Sequence, residues 1–498
     1  MTLGMPVSTP PGTHASLERA LAAVPRGLQI GGDERPAADT ATMAVENPAT
    51  ARTLVEVANA GLEDALAAVD AAGSAQAAWA ATSARGRAEL LRHATTILLE
   101  RQEQFALVMT AEMGKPLAEA RGEVAYAAEF LRSFSEQAAH VSGSFGLSAD
   151  GGTRMFVARR PVGPCLLITP WNFPLAMGAR KIAPAIAAGC TVVFKPAPQT
   201  PLTALLLADV FASAGLPRGV LNVLPTSRAE LVTEPMMTMG ILRKLSFTGS
   251  TEVGKVLLGL AARTVMRTSM ELGGNAPFIV FEDADLDVAV DAAMAAKMRN
   301  MGEACTAANR LYVHADRADE FTRRLAERMS ALQVGDGLDP DTDVGPLIDR
   351  PSLDKVDRLV ADAVERGATV VARGAVPAGP GYFCPPTVLT GVRADSAVIG
   401  TEIFGPIAPI SSFVDEAEVI AAANATDWGL VAYVITENLQ RALRVTESLE
   451  VGMVGINTGV VSNPSAPFGG VKQSGLGREG GAVGIDEYLE HQYAAVPR

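Results

Sequence analysis

The chain has 498 residues, a net charge of −13 at pH 7, 48% hydrophobic and 19% charged residues. That length exceeds one simple core, so two or three domains are expected. The acidic balance, with no Lys/Arg-rich run to offset it, argues against general nucleic-acid binding, and four scattered cysteines and five scattered histidines indicate neither a disulfide framework nor a metal site.

Residues 1–27 read as a loose N-terminal arm with one short helix near 15–23. The first residues lack a basic segment followed by an apolar core, so a signal peptide is not expected and a cytoplasmic location is. Residues 28–32 read as a strand and turn. Ala-rich helical patterns follow at 62–79, 84–101, 104–113 and 117–140. Residues 153–161 alternate like an exposed strand. The uncharged stretch 161–179 has the length of a membrane span. Pro161, Pro164, Pro170 and Pro174 would break such a helix, and Arg180-Lys181 ends it, so it reads as a buried strand leading into a loop, with no membrane partner.

Strand and helix patterns then alternate. Strands are expected at 165–169, 191–195, 220–224 and 244–248, and helices at 176–188, 201–214 and 252–262. A second alternation follows Glu271-Leu272-Gly273-Gly274, with strands at 278–281, 310–313 and 368–371 and helices at 286–298 and 318–332. This order implies mostly parallel sheets covered by helices. Residues 374–386 read as a Gly/Pro-rich surface loop. The tail, 484–498, is short and of mixed polarity; such a tail could add a strand to a neighbouring subunit, which the sequence alone does not show.

Cys165, Cys190 and Cys384 have apolar or Pro-flanked neighbours and read as packed thiols. Cys305, in Met301-Gly302-Glu303-Ala304-Cys305-Thr306, follows a polar, Gly-containing loop that gives a thiolate access to substrate. Taken alone it is either a small core residue or a nucleophile. Thr169-Pro170-Trp171-Asn172-Phe173-Pro174 is a rigid loop at a strand's C-terminal end, where open α/β sheets bind ligands. Asn172 there is either an oxyanion donor or a turn Asn bonded to its own backbone. Glu271, between an apolar segment and a Gly pair, is either a partly buried general base or a solvated strand end. Residues 245–255 read as strand, Gly-containing turn and helix, which suits phosphate but equally an ordinary connection; GxGxxG is absent.

Together these segments resemble the aldehyde dehydrogenase superfamily over about residues 28–493. The likeness also includes Phe194-Lys195-Pro196, Glu402-Ile403-Phe404-Gly405-Pro406 and Pro467-Phe468-Gly469-Gly470. It implies an α/β fold with two doubly wound domains and a small β oligomerisation element. The dinucleotide-binding domain would span 28–143 and 164–272, the catalytic domain 273–480, and the oligomerisation element 144–163 and 481–498. A homodimer or homotetramer is implied.

The resemblance also assigns roles. Cys305 attacks an aldehyde carbon, Asn172 and the Cys305 backbone N–H hold the oxyanion, and Glu271 activates the water that releases the acid. The cofactor would be NAD or NADP. Lys195 would bond its adenosine ribose, Ser250 its pyrophosphate and Glu402 its nicotinamide ribose, with Phe404 near the nicotinamide. Thr169, Pro170, Trp171, Pro198, Gly249, Gly254 and Leu272 would complete that site.

Arg180, Arg299 and Ser462 match positions that grip the distal carboxylate in the succinate semialdehyde branch of the superfamily. Two guanidiniums left unpaired around an apolar aldehyde would also reject it. The expected substrate is therefore a small aldehyde carrying a carboxylate, succinate semialdehyde first. The alternatives are glutarate semialdehyde, another ω-carboxylated aldehyde, or broader aldehyde oxidation. One methylene is worth only about 1–3 kcal/mol of discrimination. A crystallin-like structural role and a cofactor-free thioesterase are the readings from other classes; the joint presence of Cys305, Glu271 and Asn172 opposes the first, and the cofactor motifs oppose the second. The chain departs from the pattern twice. Pro198 stands where NAD-preferring members commonly carry a Glu that repels a 2′-phosphate. Ala307 stands where some members carry a second Cys for a regulatory disulfide.

Overall fold

The central strands Cys165–Ile168, Val192–Lys195 and Lys244–Thr248 are buried along their whole length. Continuous burial of this kind belongs to parallel strands covered on both faces. In the computed structural model, which describes residues 11–498 and side-chain surroundings from residue 15, they lie in an eight-stranded sheet. Five parallel strands form its middle, in the order Leu221–Val223, Val192–Lys195, Cys165–Ile168, Lys244–Thr248, Arg267–Glu271. The chain runs from Cys165–Ile168 outward to one side, then returns to build the other. That reversal makes a crevice beyond Ile168, where ligands bind in open α/β sheets, and the 169–174 loop leaves the sheet there.

The second sheet has seven strands. Ala276–Val280 sits between Ala308–His314 and Val431–Ile435, parallel to both. Ile407–Phe413, Thr387–Thr390 and Met453–Ile456 extend it in parallel, and only Thr369–Arg373 is antiparallel.

The short strand Gly475–Leu476 pairs antiparallel with Met270 and Glu271, in the first sheet. Residues 475–476, within the span expected for the catalytic domain, thus return to the first sheet. The tail strand Leu489–Pro497 pairs over nine residues with Thr153–Pro161 of its own chain. With Ser144–Leu147 it forms a three-stranded sheet on which Phe145, Phe156 and Tyr493 are exposed. From residue 11 the arm is docked: Leu17, Ala20 and Val24 are buried in the main core; residues 1–10 of the expected arm lie outside the described residues. No helix among the described residues is long and apolar enough to cross a membrane.

Candidate active site

A cavity of about 250 Å³ lies between the two sheets. One wall comes from the 169–174 loop and the Pro174–Ala188 helix, with Trp171, Asn172 and Arg180. The other comes from Arg299, Cys305 and Ser462.

The loop into Cys305 is strained. Asn300, Met301 and Gly302 are consecutive left-handed residues, with φ of 55°, 56° and 78°. For a residue with a side chain this costs of order 1–3 kcal/mol and persists only where surrounding contacts hold it. Gly302 is required there, because a Cβ would fall 2.3 Å from the Gly405 carbonyl oxygen. Cys305 is half-buried, while Cys165, Cys190 and Cys384 are buried. Burial pushes the Cys305 thiol up to about 12; the Arg180 and Arg299 guanidiniums pull it down, while Glu402 and Glu271 add to the rise. A proton acceptor is therefore needed to produce the thiolate.

Asn172 is not satisfied by its own turn. Its Nδ2 donates to the Glu303 carbonyl at 2.9 Å, 131 positions along the chain. The Asn172 carbonyl in turn accepts from Lys115 Nζ at 2.8 Å and from Asn300 Nδ2 at 3.1 Å. The loop carrying Asn172 and the loop carrying Cys305 are thus tied together directly.

Glu271 ends its strand and is 2% exposed. Neither carboxylate oxygen has a hydrogen-bond partner among the described residues. Burial pushes its carboxyl well above the usual range, nearby Glu479 pushes further, and Arg180, Lys181 and Arg478 oppose both. It lies outside the cavity lining, against Gly469, where a Cβ would come 2.9 Å from Oε1.

The two arginines have different surroundings, which corrects the expectation of two unpaired guanidiniums. Arg180 is 1% exposed and its Nε lies 2.6 Å from Glu479 Oε2; Lys181 Nζ holds the other oxygen at 2.5 Å. A fully buried guanidinium demands such a partner. Arg180 also lies 4.2 Å above the Phe468 ring. Arg299 lies 4.9 Å above the Phe173 ring and forms no ion pair among the described residues. Both arginines and Ser462 face the cavity that holds Cys305.

Of the residues expected to hold the cofactor, Pro170, Trp171, Gly249, Ser250, Leu272, Glu402 and Phe404 line the cavity. Ser250 caps the Thr251–Ala262 helix by accepting from Val253 N, and a helix start offers its free N–H groups to phosphate. Glu402 accepts from Gly274 N at 3.1 Å, and burial raises its carboxyl to about 7. Phe404 packs edge-on against Trp171 at 5.5 Å. Thr169, Lys195, Pro198 and Gly254 lie outside this lining. Lys195 ends the strand beside Ile168. Burial lowers its amine to about 8, and its one hydrogen bond is a 3.4 Å contact to the Pro196 carbonyl. Gly254 serves packing: a Cβ there would lie 2.5 Å from Leu272.

Residues 35–494 match the model of the aldehyde dehydrogenase family. The chain belongs to the aldehyde dehydrogenase family. A succinate-semialdehyde dehydrogenase of Paenarthrobacter nicotinovorans is 57% identical, over 89% of this chain and 98% of that one. A glutarate-semialdehyde dehydrogenase of Pseudomonas aeruginosa is 48% identical, over 91% and 93%. The crystal structure of an NADP-dependent enzyme of E. coli superposes with a TM-score of 0.94 at 46% identity, over 97% of this chain and 99% of that one. The enzyme is an NAD(P)-dependent aldehyde dehydrogenase, and NAD or NADP is its cofactor.

In this dehydrogenase the cavity also has neighbours that no motif announced. Tyr126 and Lys355 line the cavity from helices whose patterns carry no chemical signal. Glu479, between Arg478 and Gly480, reads as a surface charge. Only the return of 475–476 to the first sheet buries it beside Arg180.

Proposed function

We propose that the enzyme oxidises succinate semialdehyde to succinate, with Cys305 as nucleophile. The observation that carries this reading is the unpaired Arg299 guanidinium, facing the Cys305 cavity together with Ser462 and the Glu479-paired Arg180. A carboxylate at the far end of a short aldehyde gives Arg299 the charge-assisted partner it lacks, and Ser462 adds a hydroxyl.

Glu271, in the base form, accepts the Cys305 thiol proton, directly or through water. The sulfur bonds to the aldehyde carbon. The second N–H of Asn172 Nδ2 and the Cys305 backbone N–H receive the oxyanion, which each such donor stabilises by a factor of about 10²–10³ in rate. Bound NAD(P) supplies the acceptor for the hydride that leaves this carbon. A thioester remains on Cys305. Glu271 passes the thiol proton to solvent and, again a carboxylate, removes a proton from water as the water oxygen bonds to the acyl carbon; the carbon–sulfur bond then breaks, Cys305 leaves as the thiolate and succinate departs.

The residues suit the cofactor. The start of the Thr251–Ala262 helix and Ser250 would hold the pyrophosphate, Glu402 the nicotinamide ribose and Lys195 the adenosine ribose. Thr248 Oγ1, buried without a partner, also faces this region. At 198, Pro leaves room for a 2′-phosphate that a Glu would repel. A homodimer or homotetramer built on the three-stranded sheet would cover Phe145, Phe156 and Tyr493.

Glutarate semialdehyde is the second reading, favoured by the Pseudomonas aeruginosa relative. Rates with C4 and C5 semialdehydes and with unsubstituted aldehydes of the same length, using NAD and NADP, test both. Higher kcat/KM for the C4 acid supports the first reading. Equal rates for acids and unsubstituted aldehydes contradict both.

A further inference from the structure

Lys115, Glu119 and Glu123, none of which lines the cavity, stand at the start of the Leu117–Ala138 helix. Lys115 and Glu123 are buried and form an ion pair of 2.5 Å. Neither is spent on the core around it. Lys115 donates to the Asn172 carbonyl at 2.8 Å and lies 4.2 Å above the Phe173 ring. Glu123 Oε1 accepts from Leu175 N and Ala176 N, at 2.9 and 3.0 Å, so it anchors the helix that follows the Asn172 loop. Glu119, one turn before Glu123 on the same face, accepts from Asn300 N at 2.7 Å. Asn300 is the first residue of the left-handed run before Cys305. Its Nδ2 reaches both the Asn172 carbonyl and the Glu303 carbonyl, and the Glu303 carbonyl is also the acceptor for Asn172 Nδ2.

We infer that Lys115, Glu119 and Glu123 are positioning residues, a brace that sets the Asn172 amide and the Cys305 loop at the separation the oxyanion requires. This rests on the oxyanion role proposed for Asn172. A buried ion pair adds little stability over an apolar pair of similar shape, so stability alone gives no reason to keep it here. Its hydrogen bonds go to the backbone of the Asn172 loop and of the helix start that follows, while Glu119 holds Asn300 in the strained loop before Cys305. Errors of about 1 Å in such registers cost roughly 10²-fold in rate.

The test is a double-mutant cycle in the full chain. Lys115→Met/Glu123→Gln removes both charges of the buried pair together. It is expected to lower kcat by about 10- to 100-fold while KM for the cofactor stays within about twofold. In an Asn172→Ala background the same pair is expected to cost less than about threefold, because the group it positions is gone. Equal loss in both backgrounds, or no loss with Asn172 present, overturns the brace while leaving the oxyanion role intact. An Asn172→Ala enzyme of undiminished kcat overturns the oxyanion role and the brace with it. Should the double variant not fold, Glu119→Ala and Glu119→Gln answer the same question. Gln keeps an acceptor for Asn300 N–H and is expected to restore the kcat that Ala loses. Failure of that rescue overturns the inference.

Discussion

Arg180 Nε lies 2.6 Å from Glu479 Oε2 in the wall of the cavity that holds Cys305, and both side chains are buried. The pair removes most of the cost of burying Arg180 and leaves Arg299, of the two arginines, without an ion-pair partner among the described residues. Glu479→Gln would leave Arg180 and Lys181 without a counter-charge. A loss of about 3–5 kcal/mol is expected, the usual cost of breaking a buried pair from one side. Denaturant unfolding measures it, and a loss under about 1 kcal/mol would show that solvent reaches the pair.

Arg299→Ala separates recognition from chemistry. Charge-assisted hydrogen bonds are worth about 1.5–3 kcal/mol, so kcat/KM for succinate semialdehyde should fall by roughly 10- to 100-fold. The value for a small unsubstituted aldehyde such as propanal should change little. A parallel loss on both aldehydes would sink the carboxylate clamp.

The pH dependence follows from two raised groups. Glu271 acts as a base only when deprotonated, and burial beside Glu479 raises its carboxyl. The rate should therefore climb with pH through a limb above the ordinary carboxylate range of about 4.3. The Cys305 thiol, at about 12, adds no fall on the alkaline side. Glu271→Gln should abolish the limb. A wild-type limb near pH 4, or one that survives the substitution, would remove Glu271 from the role of base.

Pro198→Glu tests the cofactor site. A carboxylate there would bond ribose hydroxyls and repel a 2′-phosphate, so the ratio of kcat/KM for NADP over NAD should drop by at least about tenfold, as like-charge juxtaposition costs several kcal/mol. An unchanged ratio would mean that position 198 lies away from the ribose.

Much of this was legible in the residues, and the exceptions have physical causes. The strand at 165–168 and the helices beside it were readable because apolar runs and Ala-rich periodicity are local signals. Cys305, Asn172 and Arg299 were readable because each stands in a short motif. Glu479 was not, since its burial depends on Gly475–Leu476 pairing with a strand more than two hundred residues earlier. Lys115 and Glu123 are hidden for the same reason: a Lys in the connection before a helix and a Glu on that helix look solvated until the Asn172 loop covers them. The pairing of Arg180 was missed because it needs that same long-range return.

The account stands most directly on an acyl group carried by Cys305. Wild-type enzyme, mixed with excess succinate semialdehyde and NAD(P) and quenched in acid within the first turnovers, should show a single added succinyl group by intact mass. Peptide mapping should put it on Cys305, and Cys305→Ala should abolish it. A chain that turns over the aldehyde with no adduct, or with the adduct on another residue, would contradict the account.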